Sequence, residues 1–194
     1  MTDMSMPSRS MTWLHHLNIT LIMLLAPTAV LQAAEPARGS TPRIAGFGPV
    51  FPVEHAAVVP ETKARYKVLV DITKEEPGYD KPNRGLELTA RLANLLALAG
   101  VPASHVQLAV VAHDHALDAM LNDAAYKAIH GMGNPNTAML QALRQAGVEL
   151  LVCGQTMAHR HLEASQLAPG VTLTLSAMTT VVLYQQRGYT ILSP

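Results

Sequence analysis

The chain has little of several residue types, and each shortage argues against a class of function. Its 194 residues include a single cysteine, Cys153, so no disulfide can form within the chain. Aromatic residues make up only 4% of the sequence, a poor supply for the stacking platforms that bind bases or sugars. Fourteen basic residues balance 14 acidic ones, so the sequence lacks the overall charge that attracts nucleic acid or anionic lipid.

A dinucleotide-binding fingerprint is also missing. No G-x-G-x-x-G motif follows any of the expected strands, and we therefore predict no cofactor of that kind, or of any other. The chain is rich in apolar residues: hydrophobic residues make up 49% of it and charged residues only 14%. That balance is typical of a folded chain, and the length suits one domain with appendages.

Residues 1–34 have the pattern of a signal peptide. A weakly basic start precedes the apolar segment LNITLIMLLAPTAVLQAA, which ends in small residues. Its uninterrupted apolar part is shorter than the roughly 20 residues that a membrane-spanning helix needs. We expect cleavage near Ala33 or Ala34, export to the bacterial periplasm or an equivalent compartment, and no membrane contact afterwards. An uncleaved anchor is the alternative.

An exported location makes the solitary cysteine informative. Exported proteins usually employ cysteines in pairs, as disulfides. A cysteine without a partner is therefore either buried and inert, as free cysteines often are, or kept for its reactivity.

Two further segments follow the leader. Residues 35–64 form a proline- and glycine-rich stretch without helical or strand periodicity, which predicts an extended N-terminal arm. From residue 65 to the end, short β-branched runs alternate with helical patterns. Strands are expected at 66–72, 106–113, 148–154, 171–176 and 189–193, and helices at 84–100, 116–131, 134–147 and 177–188. Asn136 is the expected cap of the third helix.

This alternation predicts an α/β domain over residues 65–194. Its fold would be doubly wound and flavodoxin-like, with a five-stranded parallel sheet and helices on both faces. In such sheets ligands bind beyond the carboxyl ends of the strands. The side chains expected there are Asp71, His113, Cys153 and Ser176.

Cys153 ends the third strand and is followed by Gly154, which permits a tight turn into a helical segment. A thiol beside backbone N–H groups and a helix N-terminus is favoured as a thiolate. The position therefore suits a nucleophile, and a buried structural cysteine is the competing interpretation.

Several segments together resemble the DsrE family of sulfur-relay proteins, in its exported branch. The resemblance covers about residues 42–192 and is carried by PRIAGFGPV, YKVLVDIT, RGLELTARLANLLALAGVP, VQLAVVAHDHAL, NPNTAMLQALRQAGVELLVCGQTM and LSAMTTVVLYQQRGY. It implies a domain that assembles into homo-oligomers, trimers or hexamers. It also implies that Cys153 accepts a sulfane sulfur as a persulfide and that His113 is the strand-end histidine of the site. Asp114 and His115 depart from the family pattern, in which glycine often follows that histidine.

We therefore expect an exported protein that binds or relays sulfane sulfur. It would be either a sulfurtransferase that turns over or a sulfur carrier that does not. Its partners would be a small sulfur donor and a thiol acceptor, which can be a protein, and no nucleic acid. Catalytic roles fall to Cys153 and His113. Substrate contacts are assigned to Asp71, Gly154, Gln155, Ser176 and Asn134.

The alternative is a non-catalytic oligomeric module of the same fold that binds a small ligand or a metal. Two H-x-H pairs, His113 with His115 and His159 with His161, supply candidate ligands for that reading.

Overall fold

The computed structural model of the protein describes residues 39–76 and 78–194. The predicted signal peptide, residues 1–34, lies outside the described residues. Within them, no helix is both long enough and apolar enough to cross a membrane.

In the described part of the chain, five parallel strands form one sheet in the order β4-β3-β2-β1-β5. The strands are β1 Tyr66–Ile72, β2 Val106–Ala112, β3 Glu149–Cys153, β4 Val171–Thr174 and β5 Thr190–Leu192. The helices are α1 Arg84–Leu98, α2 Asp123–His130, α3 Thr137–Gln145, α4 Gly154–His159 and α5 Ala177–Gln186. Short 3₁₀ helices span Ala103–His105, Asp114–Met120 and Ala164–Gln166.

Helices cover both faces of the sheet because successive strand residues point to opposite sides. Even-numbered strand residues, such as Val70 and Val110, join the larger core with α1, α2 and α3. Odd-numbered ones, such as Leu69, Val111 and Leu151, join a smaller core with α5. The predicted fold class, a doubly wound five-stranded parallel α/β domain, is confirmed.

The helix ends show where local sequence decides the boundary. The side chain of Asn83 accepts hydrogen bonds from the N–H groups of Gly85 and Leu86 and so begins α1. The segment predicted as one helix over 116–131 is divided instead. Asn122 caps α2 by accepting from the N–H of Ala125, and the residues before it form a 3₁₀ helix.

Asn136 occupies the predicted N-cap position of α3, but its side chain makes no capping hydrogen bond. Its Oδ1 accepts from the backbone N–H of Asn83 at 2.6 Å, and its Nδ2 donates to Oδ1 of Asn134 at 2.9 Å. The amide therefore ties the start of α3 to the start of α1. Tertiary contacts outweigh the local preference here.

The described part of the predicted arm, residues 39–64, is anchored on α1 by one buried side chain. Oδ1 of Asn94 accepts from the N–H groups of Arg43 and Ile44, each at 2.8 Å. Its Nδ2 donates to the carbonyls of Phe47 and Gly48. Gly48 has a φ of +57° and lies so close to the helix backbone that a Cβ would collide with it.

Candidate functional site

Strand register brings the predicted strand-end residues together. Val111 pairs with Leu151 across β2 and β3, so two residues further on His113 lies level with Cys153. Both have odd numbers, as does Asp71 on the neighbouring strand, and all three side chains point to the α5 face.

Polar groups near the sulfur of Cys153 lower the pKa of its thiol. Burial raises the pKa of the thiol, but hydrogen bonds from the backbone N–H of Ala177, the hydroxyl of Thr156 and the backbone N–H groups of Thr156 and Gln155 lower it. The net effect places the pKa below its ordinary value. Because these donors belong to the first turns of two helices, α4 and α5, the fold itself stabilises the thiolate.

Gly154 makes this close packing possible. A Cβ at residue 154 would collide with the carbonyl oxygen of Thr174 on β4. Strand β4 therefore lies against the turn that follows Cys153. The helix that comes after β4 in the chain, α5, begins at Ala177 and so brings the N–H of that residue near the sulfur. Gly154 acts through the backbone and does not line the cavity described below.

His113 is held between two carboxylates. Its Nε2 lies 2.9 Å from Oδ1 of Asp71, and its Nδ1 lies 3.3 Å from Oδ2 of Asp114. The side chains of His113 and Asp71 are each 22% exposed, so the pair is accessible. A histidine oriented by a carboxylate is a common arrangement for moving protons.

A cavity of about 620 Å³ opens in front of the sulfur. Five of the seven residues assigned to the site line it: Asp71, His113, Cys153, Gln155 and Ser176. Its opposite wall is formed by Met178, Val181 and Val182 of α5, which sequence analysis did not assign to the site. Cys153 is only 5% exposed, yet the cavity reaches it.

Asn134, the other assigned substrate contact, lies elsewhere. It is buried, its Nδ2 donates to the carbonyls of Ala119 and Leu121, and its Oδ1 accepts from the N–H of Asn136. The amide is thus saturated by internal hydrogen bonds and lines neither this cavity nor the next. The structure assigns it a structural position in place of the predicted substrate contact.

A second cavity, of about 850 Å³, was not anticipated from the sequence. Its floor carries Asp118, whose Oδ2 lies 2.9 Å from Nε2 of His130 and whose Oδ1 lies 2.6 Å from Nη1 of Arg160. Tyr79 stacks on His130 with ring centroids 4.1 Å apart. The one sign of this cluster in the sequence is the charged residue Asp118 within the apolar stretch ALDAML.

Burial, with a smaller contribution from the charge of Asp118, raises the pKa of Glu75, near this cluster, to about 7. Its Oε2 is buried without a hydrogen-bond partner among the described residues.

The four histidines of the alternative metal site do not converge. His113 lines the first cavity, whereas His115 and His159 line the second and His161 lines neither. Over residues 39–76 and 78–194, no three His, Cys, Asp or Glu side chains are placed to share an ion. Within the described chain, the four histidines therefore do not form one site.

The fold and the site define a class of protein: a parallel α/β domain with a cysteine at the carboxyl edge of its third strand. A sequence profile of the DsrE/DsrF-like family matches residues 67–194, and the chain belongs to this family. Membership suggests a role of the sulfur-relay type. A search of curated proteins gives no significant match.

Two solved structures are similar. The protein of unknown function MTH1491 from Methanobacterium thermoautotrophicum is 21% identical, and the similarity covers 66% of this chain and 99% of that one with a TM-score of 0.52. The ychN protein from E. coli is 17% identical over 66% of this chain and 99% of its own, with a TM-score of 0.44. At 21% identity, the similarity to MTH1491 concerns the fold alone.

Proposed function

We propose that the protein accepts a sulfane sulfur on Cys153, holds it as a persulfide and passes it to a thiol acceptor. The observation that carries this proposal is the cavity that Cys153 lines together with His113 and Asp71. The pKa of Cys153 also lies below its ordinary value because of donors at Ala177, Thr156 and Gln155. Hydrogen bonds to a thiolate lower its pKa and raise the fraction of the nucleophile near neutral pH. The cavity in front of the sulfur supplies room for a donor.

The proposed transfer balances without an oxidant. The thiolate of Cys153 attacks the outer sulfur of a donor persulfide or polysulfide, and a new S–S bond forms. The donor's own S–S bond breaks, and its electron pair leaves with the inner sulfur as a thiolate. An acceptor thiolate then attacks the outer sulfur on Cys153 in the same manner. Because the chain has one cysteine, no second thiol of the same subunit can discharge the persulfide as a disulfide.

His113 and Asp71 suit the proton movements of this cycle. The acceptor must lose a proton to attack, and the departing donor thiolate gains one. His113 lines the same cavity as Cys153, and Asp71 fixes its ring through the 2.9 Å contact. We assign proton transfer to His113 and orientation of the imidazole to Asp71.

Intact-mass spectrometry tests the proposal. Wild-type protein incubated with inorganic polysulfide should gain the mass of one sulfur atom, and dithiothreitol should remove it. Cys153→Ser, which differs by one atom, should gain none. Equal labelling of the two proteins, or no labelling of either, would overturn the proposed function.

A non-catalytic ligand-binding module is the second candidate. The observation in its favour is that Cys153 is 5% exposed and packs with Leu151 and Ala177 in the smaller core. A cysteine that resists iodoacetamide in the native protein and reacts only after denaturation would favour this candidate.

We also propose that the protein is exported and acts as a homo-oligomer, a trimer or hexamer. The apolar segment within residues 1–34 supports export. Exposed apolar side chains on the edge strand β4, on α5 and on the turn between them support assembly: Leu173, Leu175, Met178, Val182 and Leu183. Mass analysis of protein recovered from the periplasm should give a mature chain that begins after Ala33 or Ala34. A full-length chain would contradict cleavage.

A further inference from the structure

The cavity at Cys153 is lined by negative charge and by no fixed positive charge. Among the described residues that line it, Asp71 and Asp114 are carboxylates, and none is a lysine or arginine. His113, which lies between the two carboxylates, is the only one of these residues that can carry a positive charge. The lining is therefore negative whether His113 is protonated or neutral, and the thiolate of Cys153 adds a further negative charge.

Asp114 is held beside groups that share the cavity with the sulfur. Its Oδ2 lies 3.3 Å from Nδ1 of His113, and its N–H donates to Oγ1 of Thr156 at 3.4 Å. Both neighbours line the cavity with Cys153, and Thr156 belongs to the first turn of α4, the helix that follows the cysteine. The charge of Asp114 therefore acts where a donor approaches the sulfur.

The backbone at Asp114 supports a role for its side chain. Its φ is +49°, in the left-handed region that most favours glycine. The side chain is 64% exposed, so packing of the core does not require it. A carboxylate that is retained in a strained backbone position on the lining of a cavity suits the selection of what enters.

The opposite wall of the cavity is apolar. Met178, Val181 and Val182 of α5 form it, and Met178 is 80% exposed, so the wall extends to the surface. An anion that enters would lose hydration against this wall without a cation to replace it. An uncharged carbon group would instead gain free energy from the contact.

The two carboxylates act on any ligand that occupies the cavity. Its volume is about 620 Å³, so opposite walls lie within about one Debye length, ~10 Å at 0.1 M salt, of each other. Salt therefore screens the charges of Asp71 and Asp114 only in part.

We propose that the sulfur donor is an organic persulfide whose carbon part carries no negative charge, and that Asp114 is the specificity-determining residue that disfavours anionic donors such as thiosulfate. The carbon part lies against Met178, Val181 and Val182. This inference rests on the proposed function, because it names the class of donor for the same cysteine.

The transfer keeps atoms and electrons in balance. The thiolate of Cys153 attacks the outer sulfur of the protonated donor R–S–SH, which keeps its hydrogen as it becomes Cys153–S–SH. The donor S–S bond breaks, and its electron pair leaves on the inner sulfur as R–S⁻. His113 supplies the proton that converts R–S⁻ into the neutral thiol R–SH, which leaves the cavity.

Methanethiosulfonate reagents measure charge selection at Cys153 without sulfur transfer. The thiolate attacks the divalent sulfur of the reagent, a disulfide forms and methanesulfinate leaves. The group on that sulfur is 2-sulfonatoethyl in an anionic reagent and 2-hydroxyethyl in an uncharged one. Relative to N-acetylcysteine amide, Cys153 should react about fivefold more slowly with the anionic reagent than with the uncharged one. Equal relative rates, or a faster reaction with the anion, would overturn the inference.

Asp114→Asn tests the assigned residue. Asparagine tolerates the left-handed backbone and keeps the N–H that donates to Thr156, so the variant removes the charge alone. The disadvantage of the anionic reagent should shrink by about threefold. Asp80→Asn removes a charge from an exposed loop that does not line the cavity and should change neither rate. A disadvantage that persists in full in Asp114→Asn would overturn the role of Asp114.

Persulfides test the donor class and separate the two proposals. Intact-mass spectrometry over time should show that 2-hydroxyethyl persulfide labels Cys153 faster than 2-sulfonatoethyl persulfide, which has the same reacting sulfurs, and that thiosulfate is slower than the uncharged persulfide. Labelling by both persulfides at equal rates overturns only the donor class. Absence of labelling by every donor, excess inorganic polysulfide included, overturns the proposed function itself.

Discussion

Nε2 of His113 lies 2.9 Å from Oδ1 of Asp71, so the carboxyl ends of β1 and β2 are joined by a histidine–carboxylate pair in front of Cys153. The pair fixes the ring of the one histidine that shares a cavity with the sulfur. Its removal should impair proton transfer and leave the nucleophile in place.

Asp71→Asn should therefore slow discharge of the Cys153 persulfide to a small thiol about 100-fold. Alkylation of the resting thiol by iodoacetamide should change much less, because the donors around the sulfur remain. Asp80→Asn, on an exposed loop, is the matched control. Equal losses in discharge and alkylation would contradict a role in proton transfer.

The reactivity of Cys153 should depend on Thr156. Because the pKa of Cys153 is below its ordinary value, the rate of alkylation should reach its plateau at a lower pH than for a free cysteine. Thr156→Val removes one donor and should move the plateau to higher pH. Thr190→Val, at an exposed position on β5, should leave the profile unchanged; a profile insensitive to Thr156→Val would mean that the backbone donors suffice.

Glu75 should make the protein less stable as pH rises. Its pKa is raised by burial to about 7 in the folded state, so the folded state favours the proton. The stability that this proton contributes is complete below the ordinary pKa and is lost as pH rises through about 7.

Glu75→Gln should therefore raise the free energy of unfolding at pH 8 by on the order of 1 kcal/mol, after allowance for solvent screening, and have little effect at pH 4.5. Urea denaturation at the two pH values measures the difference. Glu54→Gln, at an exposed glutamate, should show no such pH dependence. A uniform effect of Glu75→Gln at both pH values would contradict a burial-raised pKa.

Asn94→Ala should destabilise the protein by about 2–4 kcal/mol, because the N–H groups of Arg43 and Ile44 would lose their acceptor in a buried place. Leu95→Ala changes the neighbouring residue, which is 44% exposed, and should cost far less. Urea denaturation measures both. Similar losses for the two variants would contradict a dominant role of the Asn94 amide.

The apolar surface of β4, α5 and the turn between them should mediate assembly. Leu175→Asp introduces a charge at a leucine that is 73% exposed, so it should leave the fold intact and reduce the oligomer observed by light scattering. Val58→Asp, at a valine that is 91% exposed on the arm, is the control. A monomeric wild type would contradict the proposed assembly.

Much of the fold was accessible from sequence because apolar runs mark buried strands. The β-branched run at 66–72 predicted β1 with its observed bounds. The carboxyl ends of the predicted parallel strands were enough to place Asp71, His113 and Cys153 at one edge of the sheet.

Other features depend on groups that meet only in the folded chain. Asp118, His130 and Arg160 come from a 3₁₀ helix, α2 and the end of α4, and no spacing in the sequence relates them. Asn134 and Asn136 looked like local turn and cap residues, yet each is used to connect separate elements. Sequence reasoning also passed over Asn94, although an amide among leucines in RLANLLAL was a visible sign of a buried polar contact.

The missing side chain of Gly154 has a consequence for how the reactivity of the cysteine can diverge among relatives. Because the carbonyl of Thr174 occupies the space of a Cβ, any larger residue there would push β4 away and dismantle the sulfur's surroundings. The residue adjacent to the thiol is thereby closed to adaptive change. The nucleophilicity of Cys153 can instead be changed through residue 156 and through the first residues of α5. Functional divergence among relatives should be sought at those positions.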